Sequence, residues 1–173
     1  VYKRQDKGTD RTQFMRGEID KYTWRDIGSS YIPNELTSAF LFSQLEIASK
    51  IIQGRIDAWN EYDDILRKNG EEFFTCPKIP KNCTHNGHSY FLLCKDQSKR
   101  DKIISELKKK GINCASHYLP LHTSPFGSKN AEFAGDDNNT SFVANAIIRM
   151  PLWIGIEPNV EQICEEVIAC FSN

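Results

Sequence analysis

Long apolar runs and an excess of either charge are both missing from this sequence of 173 residues. Lysine and arginine number 22 against 23 aspartates and glutamates, which gives a formal net charge of −1 and a pI near 6.5. This balance gives no electrostatic support for binding nucleic acid or an anionic membrane. The longest apolar candidate, residues 47–56, is interrupted by polar side chains and is too short to span a bilayer. No charged-then-apolar secretory leader is found either.

Paired cysteines are also missing, because none of the six cysteines belongs to a C-x-x-C motif. The chain has enough apolar residues to fold without disulfides, so its cysteine usage predicts a reducing compartment, the cytoplasm. Cys76, Cys83, His85 and His88 lie close together in the sequence, but their spacings match no common structural zinc pattern. We predict no metal site, and metal analysis of the purified chain would test the alternative of a small zinc protein.

The usual local contexts of a catalytic nucleophile are missing as well. The sequence contains no G-x-S-x-G motif, and Cys94 and Cys114 lie in apolar segments where a thiol acts as a small hydrophobic side chain. The basic run over residues 99–110 is interleaved with acidic residues, which is typical of a solvated helix face. Residue patterns alone therefore predict no catalytic residue.

What the sequence does contain is one long amphipathic helix. Asn34, after Pro33, is a typical N-cap, and apolar residues then recur at steps of three and four as far as residues 69–70. The stripe consists of Leu41, Leu45, Ala48, Ile52, Ile56, Trp59, Tyr62 and Leu66. Gly54 inside it costs ~1 kcal/mol relative to alanine, so this helix must pack on another surface.

The remaining residues predict a small sheet covered by three helices. Residues 88–94 and 112–118 have the pattern of strands, and helices are predicted over residues 98–111, over residues 140–150 and from residue 159 onward. Ser98 with Asp101 resembles a capping box for the first of these helices. The last helix has the stripe Val160, Ile163, Cys164, Val167, Ile168 and Phe171, with Cys170 on another face. The pattern predicts an α+β fold.

Two irregular segments carry candidate binding residues. In DKYTWRDIGSSYIPNEL (residues 20–36), small residues precede a helix, where unpaired backbone N–H groups and the helix dipole favour a phosphate. In HYLPLHTSPFG (residues 117–127), a predicted strand ends at Tyr118 and His122 follows on an irregular segment, a position common in binding sites. Composition alone favours a plain exposed loop for the second segment.

The segments DKYTWRDIGSSY, QLE, NGHSYFLL, HYLPLH and RMPLW occur in the order found in the sugar aminotransferases of the DegT/DnrJ/EryC1/StrS family. From about Asp6 to its end, the sequence resembles that family. The resemblance implies the aspartate-aminotransferase architecture (PLP fold type I), and a homodimer with active sites at the subunit interface. It also implies pyridoxal 5'-phosphate as cofactor, glutamate as amino donor and the keto carbon of a nucleotide sugar as acceptor.

Under this resemblance, residues 6–34 correspond to the edge of a truncated large domain. Residues 35–173 correspond to the long connecting helix and the C-terminal small domain, with a small, mainly antiparallel sheet covered by helices. Residues 1–5 resemble translated adapter sequence and are set aside. The Schiff-base lysine would lie upstream, so no catalytic residue is assigned in this chain and the chain is expected to be inactive alone. The alternative is a stand-alone, non-catalytic α+β binding module.

The resemblance also assigns cofactor-binding residues. A family segment that reads G-Y-N-Y-R, whose Asn reaches across the dimer to the cofactor phosphate, corresponds to residues 28–32. Ser30 takes the place of that Asn and Ile32 takes the place of the Arg. A serine hydroxyl still donates a hydrogen bond to phosphate, so Ser29, Ser30 and Tyr31 are the expected cofactor contacts.

Substrate-binding residues follow from the family pattern Y-x-P-[LV]-H, which Tyr118 and His122 match. The resemblance implies that these two side chains lie on the sugar-nucleotide side of the cleft. Trp24 and His88 are further candidates for the same wall.

Overall fold

The computed structural model describes residues 10–20 and 33–172. The chain divides into two compact units, Val1–Ala48 and Ser49–Asn173. No helix within the described ranges combines the length and the apolar character that crossing a membrane requires.

The first unit contains helices α1 (Arg11–Met15) and α2 (Glu35–Glu46). The predicted N-cap of α2 is confirmed, since the Asn34 side chain accepts a hydrogen bond from the Thr37 N–H at 2.8 Å. The predicted single helix is interrupted at Ile47, whose backbone (φ −112°, ψ 14°) leaves the helical region. Because the Ile47 N–H bonds to Gln44 O rather than continuing the regular ladder, α2 ends in a tight turn.

The second unit begins within the first turn of α3 (Ala48–Gly70). Its further elements are β1 (Phe91–Leu93), α4 (Gln97–Lys109), α5 (Gly127–Asn130), α6 (Thr140–Ala146), β2 (Ile147–Arg149) and α7 (Val160–Ser172), with 3₁₀ turns at Leu121–Thr123 and Glu157–Asn159. The predicted α+β class and the three helices beside a small antiparallel sheet are confirmed.

The sheet pairs β1 with β2, in the register Phe91↔Arg149, Leu92↔Ile148 and Leu93↔Ile147. The predicted helix over residues 140–150 is therefore wrong beyond Ala146. The β-branched pair Ile147–Ile148 continues as a strand because its two side chains fit the buried pleated surface against β1. The predicted strand over residues 88–94 is shorter than expected, and His88 lies in the preceding loop.

The predicted strand over residues 112–118 is also wrong. This segment forms a single isolated bridge, Ala115↔Arg149, whose two backbone hydrogen bonds measure 3.1 and 2.7 Å. The next pair along an antiparallel ladder would involve Pro151, which has no N–H to donate, so the ladder cannot extend in that direction.

The core of the second unit lies between α3, the sheet, α4 and α7. Its largest fully buried side chains are Tyr62, Tyr90, Leu66, Leu92, Ile103, Leu107, Ile148, Val160, Val167 and Cys164. Cys170, expected on another face of α7, is also buried. The expectation was wrong because Cys170 lies seven residues, about two full turns, after the buried Ile163.

Helix α4 is capped two residues earlier than the sequence predicted. Its N-cap is Asp96, whose carboxylate accepts from the Lys99 N–H at 2.9 Å, and not Ser98. An aspartate at this position also interacts favourably with the positive end of the helix dipole. The predicted end of the helix is confirmed, because Gly111 has the positive φ (+79°) typical of a residue that follows a helix.

Candidate functional site

The loop before β1 is held against α3 by side-chain donors that bind consecutive backbone carbonyls. Arg55 donates to Gly87 O at 3.0 Å and to His88 O at 2.5 Å, and Trp59 Nε1 donates to Ser89 O at 3.1 Å. Asn86 Oδ1 accepts from the His88 N–H at 3.1 Å. The motif NGHS thus forms a turn that is fixed by hydrogen bonds, and the His88 side chain on it is exposed.

Segment 117–127 forms its own compact turn after the Ala115 bridge. Leu121–Thr123 is a 3₁₀ turn, and the Ser124 hydroxyl links its two sides by donating to Leu121 O at 2.7 Å and accepting from the Gly127 N–H at 3.0 Å. Tyr118 is 73% exposed on this segment. The predicted irregular, solvent-facing segment is confirmed, although it does not follow a regular strand.

A histidine–carboxylate pair lies at the centre of this region. His122 Nε2 is 2.8 Å from Asp137 Oδ2, and the imidazole packs on Phe133 with a ring-centroid distance of 4.5 Å. Ser141, in the first turn of α6, donates its N–H to Asp137 Oδ1 at 2.9 Å and its hydroxyl to Oδ2. The hydrogen bonds from Ser141, followed by those of His122, lower the pKa of Asp137 below its ordinary value.

A cation lies beside the tyrosine of the same segment. The Arg149 guanidinium carbon is 5.5 Å from the centroid of the Tyr118 ring, within the range of a cation–π interaction. Arg149 Nε is buried and has no hydrogen-bond partner within the described residues. No carboxylate in that part of the chain forms an ion pair with this guanidinium, so its charge is available to an anion.

Two neighbouring surface clefts flank Pro120 and Leu121. One, of about 360 Å³, is lined by His117, Tyr118, Pro120, Asn139, Thr140, Val143 and Ala144. The other, of about 570 Å³, is lined by Leu121, His122, Ser124, Phe126, Gly127, Ala131, Glu132, Phe133, Ala134 and Thr140. Thr140, at the start of α6, borders both clefts, so Tyr118 and His122 open into adjacent parts of one surface.

Of the residues predicted from the sequence, Tyr118 and His122 are brought together on this surface. No hydrogen bond, ring contact or cleft within the described ranges joins His88 to them. Trp24, Ser29, Ser30 and Tyr31, which the resemblance assigns to substrate and cofactor, lie outside the described residues. Residues 10–20 and 33–172 contain no group of three or more side chains suited to holding a metal ion.

Sequence reasoning missed Asp137 and Arg149. Asp137 lies in a polar stretch where neighbouring Asp136 and Asn138 offer the same chemistry, so no residue pattern distinguishes it. Arg149 was assigned to a helix, and only its position at the end of β2, opposite Ala115, brings it to Tyr118. The sequence did offer one signal for Arg149, because a charged residue among the apolar neighbours of RMPLW is unusual and suggests a specific role.

Comparison with curated proteins finds relatives, one of which is named as a transaminase. An uncharacterized protein of Methanocaldococcus jannaschii is 31% identical over 132 residues, which cover 74% of this chain and 34% of that protein. The UDP-4-amino-4,6-dideoxy-N-acetyl-beta-L-altrosamine transaminase of Helicobacter pylori is 32% identical over 120 residues, covering 65% of this chain and 28% of the enzyme. The chain therefore spans about a third of the length of these relatives.

Solved structures show the same fold. PseC of Helicobacter pylori, an aminotransferase involved in the biosynthesis of pseudoaminic acid, has a TM-score of 0.81 at 23% identity, over 98% of this chain and 44% of that one. The aminotransferase TlmJ of Streptoalloteichus hindustanus has a TM-score of 0.80 at 21% identity, over 98% and 43%. The chain thus shares the fold of these aminotransferases, as the sequence predicted.

The family assignment rests on the length of the match. Residues 4–168 match the model of the DegT/DnrJ/EryC1/StrS aminotransferase family, whose members use pyridoxal 5'-phosphate. This range includes the two candidate segments and every helix and strand of the second unit apart from the last turn of α7. The chain belongs to the DegT/DnrJ/EryC1/StrS aminotransferase family.

Proposed function

We propose that this chain is the C-terminal part of a PLP-dependent nucleotide-sugar aminotransferase. Residues 6–34 would form the edge of the large domain, and residues 35–173 the connecting helix and the small domain. The parent enzyme would work as a cytoplasmic homodimer and transfer an amino group from glutamate to a dTDP-4-keto-6-deoxyhexose. Its product would serve cell-surface polysaccharide synthesis, as for a dTDP-4-amino-4,6-dideoxygalactose transaminase.

The observation that carries this proposal is the surface formed by Tyr118, His122 and Arg149. A nucleotide sugar needs a cation for its diphosphate, a flat apolar face for a ring and polar groups for hydroxyls. Arg149 supplies a guanidinium that forms no ion pair with the described residues, Tyr118 an exposed ring beside it, and His122 an imidazole held by Asp137. Tyr118 lines a cleft of about 360 Å³ and His122 the adjacent cleft of about 570 Å³, while Arg149 lies beside the Tyr118 ring.

The described residues fit the substrate side of such a site rather than cofactor attachment. Neither cleft beside Tyr118 and His122 is lined by a lysine. Ser29, Ser30 and Tyr31, proposed to hold the cofactor phosphate of the neighbouring subunit, lie outside the described ranges. When bound, pyridoxal phosphate would supply the electron sink for amino transfer. The chain's own part would be to bind and orient the acceptor sugar.

The division of labour within the chain follows from these positions. Arg149 would neutralise the diphosphate, and its buried Nε would gain the partner it lacks within the described residues. Tyr118 would cover one face of the bound molecule and exclude water from it. Because binding energy from the nucleotide end orients the distant keto carbon, these contacts affect the rate as well as affinity.

The first experiment addresses the parent enzyme. The genomic reading frame upstream of Asp6 is expected to continue into a large domain, and the extended protein to bind pyridoxal phosphate and catalyse transamination from glutamate. Within it, Ser30→Ala should weaken cofactor retention while the free energy of unfolding stays within ~0.5 kcal/mol, and Ser43→Ala on α2 serves as the control. Unchanged cofactor affinity in the Ser30 variant would count against the cross-subunit contact.

The rival function, a stand-alone α+β binding module, makes a different prediction for the same DNA. A frame that closes immediately before this chain, with its own start codon, would favour that module and overturn the fragment proposal. The 173-residue chain alone is expected to show no transaminase activity under either proposal. Activity in the isolated chain would therefore contradict both.

A further inference from the structure

The pairing of His122 with Asp137 carries an inference about what the imidazole recognises. We propose that Asp137 is a positioning residue that keeps the hydrogen of neutral His122 on Nε2, so that Nδ1 accepts a hydrogen bond from a hydroxyl of the acceptor sugar. The inference rests on the proposed function for the identity of the ligand. The positioning role of Asp137 is independent of it.

The first step concerns the carboxylate. Asp137 accepts the Ser141 N–H at 2.9 Å and the Ser141 hydroxyl, and both donors come from the first turn of α6. These two donors orient the carboxylate and favour its ionised form. The lowered pKa of Asp137 agrees with this arrangement.

The second step concerns the imidazole. An ionised carboxylate only accepts hydrogen bonds, and therefore the contact of 2.8 Å between Asp137 Oδ2 and His122 Nε2 requires the hydrogen on Nε2. The ring is held from another side by Phe133, at 4.5 Å between centroids, and the His122 side chain is only 19% exposed. The ring therefore has little freedom to turn its other nitrogen toward Asp137.

The third step concerns the atom that is left. His122 Nδ1 has no hydrogen-bond partner within residues 10–20 and 33–172, and in the neutral ring it carries a lone pair and no hydrogen. A lone pair attracts a hydroxyl hydrogen and repels the oxygens of a phosphate. The geometry thus assigns the sugar hydroxyl to His122 and leaves the diphosphate to Arg149.

The positioning role is tested by long-range proton–nitrogen NMR of the imidazole of His122 in the 173-residue chain at pH 8. We expect the hydrogen on Nε2, in a resonance protected from exchange with solvent. Asp137→Ala should abolish that protection, whereas the matched variant Asp136→Ala, at the neighbouring exposed aspartate, should leave it unchanged. A hydrogen on Nδ1, or protection that survives Asp137→Ala, would overturn the positioning role.

The ligand is tested by titrating the extended protein, which contains the large domain, with dTDP-glucose and with thymidine diphosphate. Asp137→Ala should weaken binding of dTDP-glucose about fivefold, the effect of one hydrogen bond, and leave the affinity for thymidine diphosphate unchanged. Equal weakening for both probes would place His122 on the diphosphate and overturn the assignment to the sugar. If the wild-type extended protein binds neither probe, the nucleotide-sugar function and the sugar contact both fail, and the NMR result still decides the role of Asp137.

Discussion

The Arg55 guanidinium on α3 donates its Nε–H to the backbone carbonyl of Gly87 at a distance of 3.0 Å. Gly87 itself lies so close to α3 that a side chain has no room there. A Cβ built on Gly87 would lie 2.6 Å from the Arg55 carbonyl carbon and 2.7 Å from its oxygen. The turn that carries His88 is therefore fixed by direct contact with the helix backbone.

Gly87→Ala should destabilise the second unit more than the same change at Gly111. Both glycines have positive φ, +60° and +79°, and each substitution costs ~1–2 kcal/mol for that reason alone. Only Gly87 adds a collision with helix backbone, since nothing lies within 4 Å of a Cβ on Gly111. Urea denaturation of both variants measures the difference, and equal losses of free energy would contradict the close approach.

Arg55→Ala should loosen the same turn. The change removes two hydrogen bonds from a charged group to the carbonyls of Gly87 and His88, a loss of ~2 kcal/mol in the free energy of unfolding. Amide hydrogen exchange at residues 88–90 should also become faster. Lys50→Ala, on the exposed side of α3, is the control and should change stability by less than ~0.5 kcal/mol. Similar amide exchange rates in the Arg55 and Lys50 variants would show that Arg55 does not hold this turn in place.

The sequence was most informative where one helix face is buried continuously. The predicted stripe is confirmed at Trp59, Tyr62 and Leu66, where α3 contributes to the core and the period of three to four residues matches the buried face. It is wrong toward the start of the predicted helix, because Leu41, Leu45 and Ile52 are exposed. The same reasoning failed at Ile147 and Ile148, where a short apolar run follows a short helix. Periodicity alone cannot distinguish a helix from a strand there, and pairing with β1 makes this segment a strand.

Residues at the candidate site were predictable only where a motif carried them. Tyr118 and His122 belong to a recognisable pattern, whereas Asp137 reaches His122 from fifteen residues away across a polar loop. Such a contact depends on the path of the loop and on where α6 begins, and no periodic pattern in the sequence predicts either of them. Arg149 was missed because the sequence pattern predicted a helix where β2 forms.

Cys83 should be the one thiol that reacts rapidly with alkylating reagents in the native second unit. It is exposed, whereas Cys76, Cys94, Cys164 and Cys170 are buried and Cys114 is half-buried. Only the thiolate reacts, and burial raises the pKa of Cys76, Cys94, Cys114 and Cys164, which makes these four thiols less reactive as well as shielded. Iodoacetamide labelling with mass analysis at pH 7.5 checks this, and a fast phase that persists in Cys83→Ser would contradict it.

Stability should fall in alkaline solution because burial raises the pKa of several thiols, and also that of Tyr62 and Tyr90, above their ordinary values. Burial raises the pKa of Cys94, Cys114 and Cys164 to about 12, from an ordinary value of 9.0. Below pH 9 these thiols are neutral in both states, and between pH 9 and 12 the unfolded chain ionises first. The stabilising contribution is therefore complete at pH 7.5 and is lost progressively above pH 9. Urea midpoints at pH 7.5 and 10.5 measure this loss, and Cys83→Ser should show the same decline as wild type.

Ser141→Ala should raise the pKa of Asp137 toward its ordinary value. The Ser141 hydroxyl is the largest cause of the lowering, the Ser141 N–H remains in the variant, and His122 contributes less. A carboxylate whose pKa is lowered in the folded chain stabilises the fold at pH values above its unfolded pKa, and this stabilisation is lost as the pH falls through the folded pKa. Because Ser141→Ala brings the folded pKa closer to the unfolded one, the variant should lose less stability in acid than the wild type. Carbon-13 NMR titration of the side-chain carboxyls follows Asp137 directly. A larger rise in His122→Ala than in Ser141→Ala would show that the imidazole, and not α6, holds the carboxylate in its ionised form.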